Sequence, residues 1–130
     1  VAPPYLPYAP ALAAPAIDLD RLLVLRAEGR DALWAAEQAL RSGACGAVLC
    51  WPNAADDRAL RRLSVAAEQG DALGFAFRPL RALQQPSPAA LRMEVMPGDR
   101  VRLHKCRGGA VPAAPVAWGA TPAVALRAVH

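Results

Sequence analysis

The sequence predicts an α/β fold: a partial three-layer domain with a mostly parallel sheet, flanking helices and a C-terminal β-hairpin. Three observations predict it. Short continuous apolar runs alternate with amphipathic segments of helical period, and the connections between them are short. Near residue 90 the pattern switches to strict alternation on either side of a Pro-Gly-Asp turn.

The 130 residues fit one domain with no interior shift of composition. A chain of this length buries about two-thirds of its unfolded surface, enough for an ordinary core. The 55% hydrophobic fraction leans on alanine, which predicts closely packed helices and excludes disorder for most of the length.

The first segment carries Pro3, Pro4, Pro7, Pro10 and Pro15. That density leaves room for one short helix, Tyr8 to Ala14, with Pro10 in its first turn. Leu22-Leu23-Val24-Leu25 follows the turn-like Ile17-Asp18-Leu19-Asp20 and reads as a buried strand. The chain opens on Val1-Ala2-Pro3-Pro4, and an initial strand is expected to be missing ahead of it.

Gly29-Arg30-Asp31 opens a helix over Ala32 to Ser42, and Gly43 is placed to end it. Leu33, Ala36 and Leu40 share one face, whereas Trp34 lies opposite with Glu37, Gln38 and Arg41. A helix normally turns its tryptophan to the core, so Trp34 marks either a partner surface or a face covered by another segment.

Ala47-Val48-Leu49-Cys50-Trp51 is a second strand, ended by Pro52-Asn53. Asn53 or Asp56 caps the next helix, Asp57 to Gln69. Its inner face is Leu60, Leu63 and Ala67; its outer face is Arg58, Arg61, Arg62 and Val65. Gly70 closes it, and Leu73-Gly74-Phe75-Ala76-Phe77 is a third strand leading into Arg78-Pro79. Right-handed crossovers put both helices on one face of the sheet unless the strand order reverses.

After Gln84-Gln85-Pro86-Ser87-Pro88 come the two arms of the hairpin. Leu91, Met93, Val95, Val101 and Leu103 form an apolar face, alternating with Arg92, Glu94, Arg102 and His104. Residues 1–106 are taken as the domain. Beyond Arg107-Gly108-Gly109 the Ala/Pro/Val-rich residues 107–130 read as a tail, with at most a last turn or strand near Val124-Ala125-Leu126.

The net charge is +4, and Lys105 is the only lysine. Arginine presents a planar fork suited to carboxylates, phosphates and aromatic faces. The excess is mild for a dedicated duplex-DNA binder, so weak DNA contact and a merely solvated basic surface both stay open. Cys45, Cys50 and Cys106 contain no C-x-x-C pair, which argues against a disulfide framework or zinc site and for a reducing cytoplasm. No apolar stretch approaches the ~20 residues of a membrane span, and no signal-peptide core is present.

Catalytic motifs are lacking. There is no G-x-x-x-x-G-K-[ST] and no G-x-G-x-x-G. At the end of the second strand, where a metal-holding aspartate would be expected, stands Trp51, whose indole coordinates nothing. Trp51 is either a packing residue or a partner contact. His104 and His130 pair with no nucleophile by sequence logic, and Asp18, Asp20, Asp56 and Asp57 sit where caps are needed. A non-enzymatic protein without cofactor or metal is expected. Tryptophan and arginine dominate interface hot spots. The candidate partner surface is therefore Trp34, Glu37, Gln38, Arg41, Arg58, Arg61 and Arg62; the alternative for its arginines is simple solvation. Self-association into a homodimer stays open.

Ile17-Asp18-Leu19-Asp20-Arg21-Leu22-Leu23 and the stretch Ala32 to Gly43 resemble the middle of RecA-like domains, in particular the ImuA/SulA family. Trp51-Pro52, Ala66-Ala67-Glu68-Gln69-Gly70 and Gly74-Phe75-Ala76-Phe77-Arg78-Pro79 match the same family. The hairpin and Arg107-Gly108-Gly109 look like the ImuA branch, and the resemblance covers residues 1–109. Pro15, where a glycine is more usual, and the Ala/Pro tail depart from the pattern. The resemblance implies a RecA-like core that has shed its ATPase apparatus. It further implies a non-catalytic adaptor of the bacterial SOS response, binding RecA or ImuB in translesion synthesis. The SulA branch implies instead an inhibitor of division that binds and sequesters FtsZ.

Overall fold

The computed structural model describes residues 1–13 and 17–118. They form two compact units, Val1–Pro88 and a second beginning at Ala89.

In the first unit a short helix α1 (Ala9–Ala13) precedes a 3₁₀ turn at Leu19–Arg21 and helix α2 (Gly29–Arg41). Strand β1 (Ala47–Cys50), helix α3 (Asp57–Gln69) and strand β2 (Leu73–Ala76) follow. The β1-α3-β2 unit is parallel, as the short connections predicted, with Val48 opposite Gly74 and Cys50 opposite Ala76. Val48 and Cys50 point into a core shared with Ala36 and Leu40 of α2 and Leu63 and Ala66 of α3. Both helices therefore cover one face of the sheet. Leu49 and Phe75, paired on the other face, stay exposed. Burial holds the Cys50 thiol above its ordinary pKa.

The helix ends follow from local chemistry. Asp56 is extended and its Oδ1 accepts from the Ala59 amide at 2.7 Å, the N-cap bond the sequence predicted. Gly43 takes the left-handed conformation that ends α2, with φ +68°. Gly70 is needed for a different reason: a Cβ there would stand 1.9 Å from the Leu40 carbonyl oxygen. The ends of α2 and α3 approach so closely that only glycine fits.

Leu22–Leu25 is not a buried strand. Leu22, Leu23 and Val24 are exposed, and the segment belongs to no sheet. The Leu25 carbonyl accepts from the Ala2 amide at 2.8 Å, while the Val1 amino nitrogen donates to the Leu49 carbonyl at 2.6 Å. A single backbone bond does not make a ladder, and a run of leucines carries no information about whether a neighbour is there to pair with it.

In the second unit β3 (Leu91–Met96) pairs antiparallel with β4 (Arg100–Cys106), and β4 with the two-residue β5 (Val116–Ala117). Gly98 and Asp99 are both left-handed in the connecting turn. The expected apolar face exists but is only partly covered. Val101 is buried, whereas Leu91, Met93 and Val95 are exposed. The described residues of this unit include no helix to lie over that face. β5 also places regular structure in the supposed tail, and the Trp118 amide donates to the Asp99 carbonyl at 2.5 Å. Ala14, Pro15, Val124-Ala125-Leu126 and His130 lie outside the described residues.

Candidate protein-interaction surface

All seven residues of the candidate partner surface lie on α2 and α3, and the structure separates the exposed Trp34, Arg58 and Arg61 from a group at the seam of the two helices. Trp34 is 60% exposed, on the side of α2 away from the sheet. Arg58 and Arg61 are exposed on α3, and Val65 stands exposed beside them in helical spacing. Arg61 donates from Nε to Asp57 Oδ2 at 2.7 Å, one helical turn away.

Glu37, Arg41 and Arg62 form the second group, a clamp between the helices. Glu37 is only 6% exposed, so the outward placement read from the helical wheel is wrong for this residue. Its position lies at the seam with α3, where Arg62 reaches across to Glu37 Oε2. Arg41 donates to Glu37 Oε1 at 2.7 Å and, through Nε, to Gln69 Oε1 at 3.0 Å. Both oxygens of a buried carboxylate are thereby satisfied, as burial requires. Gln38 is half-buried on the flank of α2.

The clamp fixes the register of the two helices. Glu37 meets Arg62 and Arg41 meets Gln69, so α2 and α3 run in the same direction. One turn before Glu37 stands Trp34, and one turn before Arg62 stands Arg58. Tryptophan and arginine thus sit at the same level of the helix pair. A surface of two helices in fixed register that exposes a tryptophan on one and arginines on the other can dock a protein. It offers no nucleophile, acid–base pair or metal ligand set, and among the described residues no cluster of His, Cys, Asp or Glu could hold a metal ion.

Trp51, Phe77, Arg78 and Pro79 collect at the carboxyl ends of β1 and β2, the end where open α/β sheets place their sites. Trp51 stacks on Phe77 with ring centroids 5.0 Å apart and planes 16° from parallel. The Phe77 amide donates to the Cys50 carbonyl at 2.8 Å, carrying the ladder one residue past the strands. Arg78 donates from Nη2 to the Ala55 carbonyl at 2.9 Å and to Gln85 Oε1 at 2.8 Å. Pro79 starts the 3₁₀ turn Leu80–Gln84. Trp51 packs on Phe77, and these residues tie the loops after both strands together. Gln85 was not singled out from the sequence, because nothing local marks it as the partner of Arg78. An open groove of about 420 Å³ lies here, between Asn53, Asp56, Leu60, Arg78, Gln85 and Pro86.

No family model matches the chain. Over 89 residues it is 32% identical to the cell division inhibitor SulA of Photorhabdus laumondii, covering 68% of this chain and 50% of that protein. Its fold matches the crystal structure of SulA from Pseudomonas aeruginosa with a TM-score of 0.52 and 31% identity, over 59% of this chain and 66% of that one. The chain is similar to SulA.

It spans about half the length of the curated SulA it matches. Both similarities fall on the SulA side of the resemblance, and neither supports an ImuA assignment or a RecA-like description of the core. The SulA-like architecture is a mixed α/β one, with a small parallel sheet and a separate antiparallel hairpin sheet. No helix among the described residues is long and apolar enough to cross a membrane.

Proposed function

We propose that this chain is a SulA-like inhibitor of cell division, acting by stoichiometric binding of a protein partner, and that the partner is FtsZ, as the family resemblance implies. The observation that carries the reading is Trp34. It is an exposed tryptophan on a helix whose register against the arginine-bearing α3 is locked by the Glu37 clamp. An exposed aromatic side chain on a helix held in fixed register loses little entropy on binding, which suits it to a hot spot. Inhibition by occupancy needs no catalytic group. The SOS-response setting follows from the same resemblance, and similarity to SulA favours FtsZ over RecA or ImuB as target.

The test is capture by the immobilised full chain of purified FtsZ, RecA and ImuB, each offered separately. FtsZ is retained, and Trp34→Ala weakens its retention about 30-fold, the loss typical of a hot spot of about 2 kcal/mol. Retention of RecA or ImuB with FtsZ left unbound would overturn this reading and restore the adaptor one.

A further inference from the structure

The excess positive charge of this protein resides entirely in its second unit. Residues 1–88 contain nine basic and nine acidic side chains and are neutral; residues 89–130 contain six basic and two acidic ones and carry the whole +4. The SulA-like reading, which rests on the outer side of α2 and α3, makes no use of this charge.

The hairpin concentrates it on one face. Register places Arg92 opposite Lys105, Glu94 opposite Arg102 and Met96 opposite Arg100, so these side chains share a side of the sheet. A bulge at Arg92/Met93 sets two residues of β4, His104 and Lys105, against Arg92 alone. His104 contacts Glu94 at 3.1 Å, which puts the imidazole on the same face. That side therefore carries Arg92, Arg100, Arg102, His104 and Lys105 against a single carboxylate, Glu94. Arg100 and Arg102 are exposed.

We propose that this face binds the phosphate backbone of a DNA duplex. Arg100, Arg102 and Lys105 form a row of basic side chains along β4, and basic side chains gathered on one face are what neutralises the phosphates of a duplex. Sheets that bind single strands stack bases on aromatic side chains, and this face has none. Nor does it present the aromatic and apolar anchors an acidic protein surface would need: Met96 is the one large apolar side chain of β3 and β4 on this side, and Leu91, Met93, Val95, Val101 and Leu103 lie on the other. Contacts to phosphate alone carry no sequence preference.

The test is fluorescence anisotropy of the full 130-residue chain with a labelled DNA duplex across a salt series. Binding is expected with log K falling linearly in log salt, at about 0.9 per phosphate neutralised. The double variant Arg100→Gln/Arg102→Gln should flatten that slope by about 1.8 and weaken binding at least tenfold at low salt. Arg58→Gln/Arg61→Gln, on the surface assigned to the division target, should leave DNA binding unchanged, so the two proposals fail separately. Absence of binding at low salt, an unchanged slope in the hairpin variant, or tighter binding to a single strand or to poly-glutamate than to the duplex would overturn the proposal.

Discussion

Glu37 of α2 and Arg62 of α3, 25 residues apart in sequence, are joined by an ion pair across the seam of the two helices that present Trp34. Arg41 completes the clamp from the turn beyond. Because the Glu37 side chain is 8% exposed while its arginine partners are about half exposed, the carboxylate is the costly member. Deleting it frees two arginines that water can solvate, whereas deleting Arg62 takes the partner of Oε2 away from a buried carboxylate. Arg62→Ala is expected to lower stability by roughly 1–2 kcal/mol and Glu37→Ala by less, since the groups it leaves unpaired are partly exposed. Urea unfolding with unchanged m-value checks the order; equal losses would contradict it.

Gly70 and Leu40 meet where the helices end. Gly70→Ala places a methyl carbon 1.9 Å from the backbone oxygen of Leu40, so helix backbone must shift, and is expected to cost about 3 kcal/mol, the upper range of overpacking. Gly74→Ala serves as the comparison: its Cβ would meet Leu40 Cδ2 at 3.5 Å, ordinary contact with a flexible side chain. Thermal unfolding of the two variants should separate them clearly.

The Trp51–Phe77 stack couples the loops after the two parallel strands. A double-mutant cycle with Trp51→Ala and Phe77→Ala is expected to give a coupling of about 0.5–1.5 kcal/mol, the range for offset aromatic pairs. Additive losses would mean that the rings pack independently.

Much of this architecture was legible because its signals are local. The parallel β1-α3-β2 unit followed from two apolar runs flanking an amphipathic helix, and the Asp56 cap from a side chain three residues before the amide it holds. Trp34 was read as outward because the apolar stripe of α2 lies on the other side. What escaped was non-local. A helical wheel of α2 alone puts Glu37 beside Trp34; only the arrival of α3 makes that position a buried seam. Gly70 was visible as a helix end, but the approach of the Leu40 carbonyl that demands it comes from another helix. Leu22–Leu25 had the composition of a strand and lacked a ladder. The bulge that gathers His104 and Lys105 on one face depends on strand register, which alternation alone leaves undetermined.

The most direct measurement is the GTPase rate of purified FtsZ titrated with the full chain and with Trp34→Ala. Sequestration predicts that wild type lowers the rate progressively and reaches its full effect near equal concentrations, while Trp34→Ala needs a large excess. An FtsZ rate unchanged by an equimolar amount of the wild-type chain, or equal inhibition by Trp34→Ala, would contradict the account.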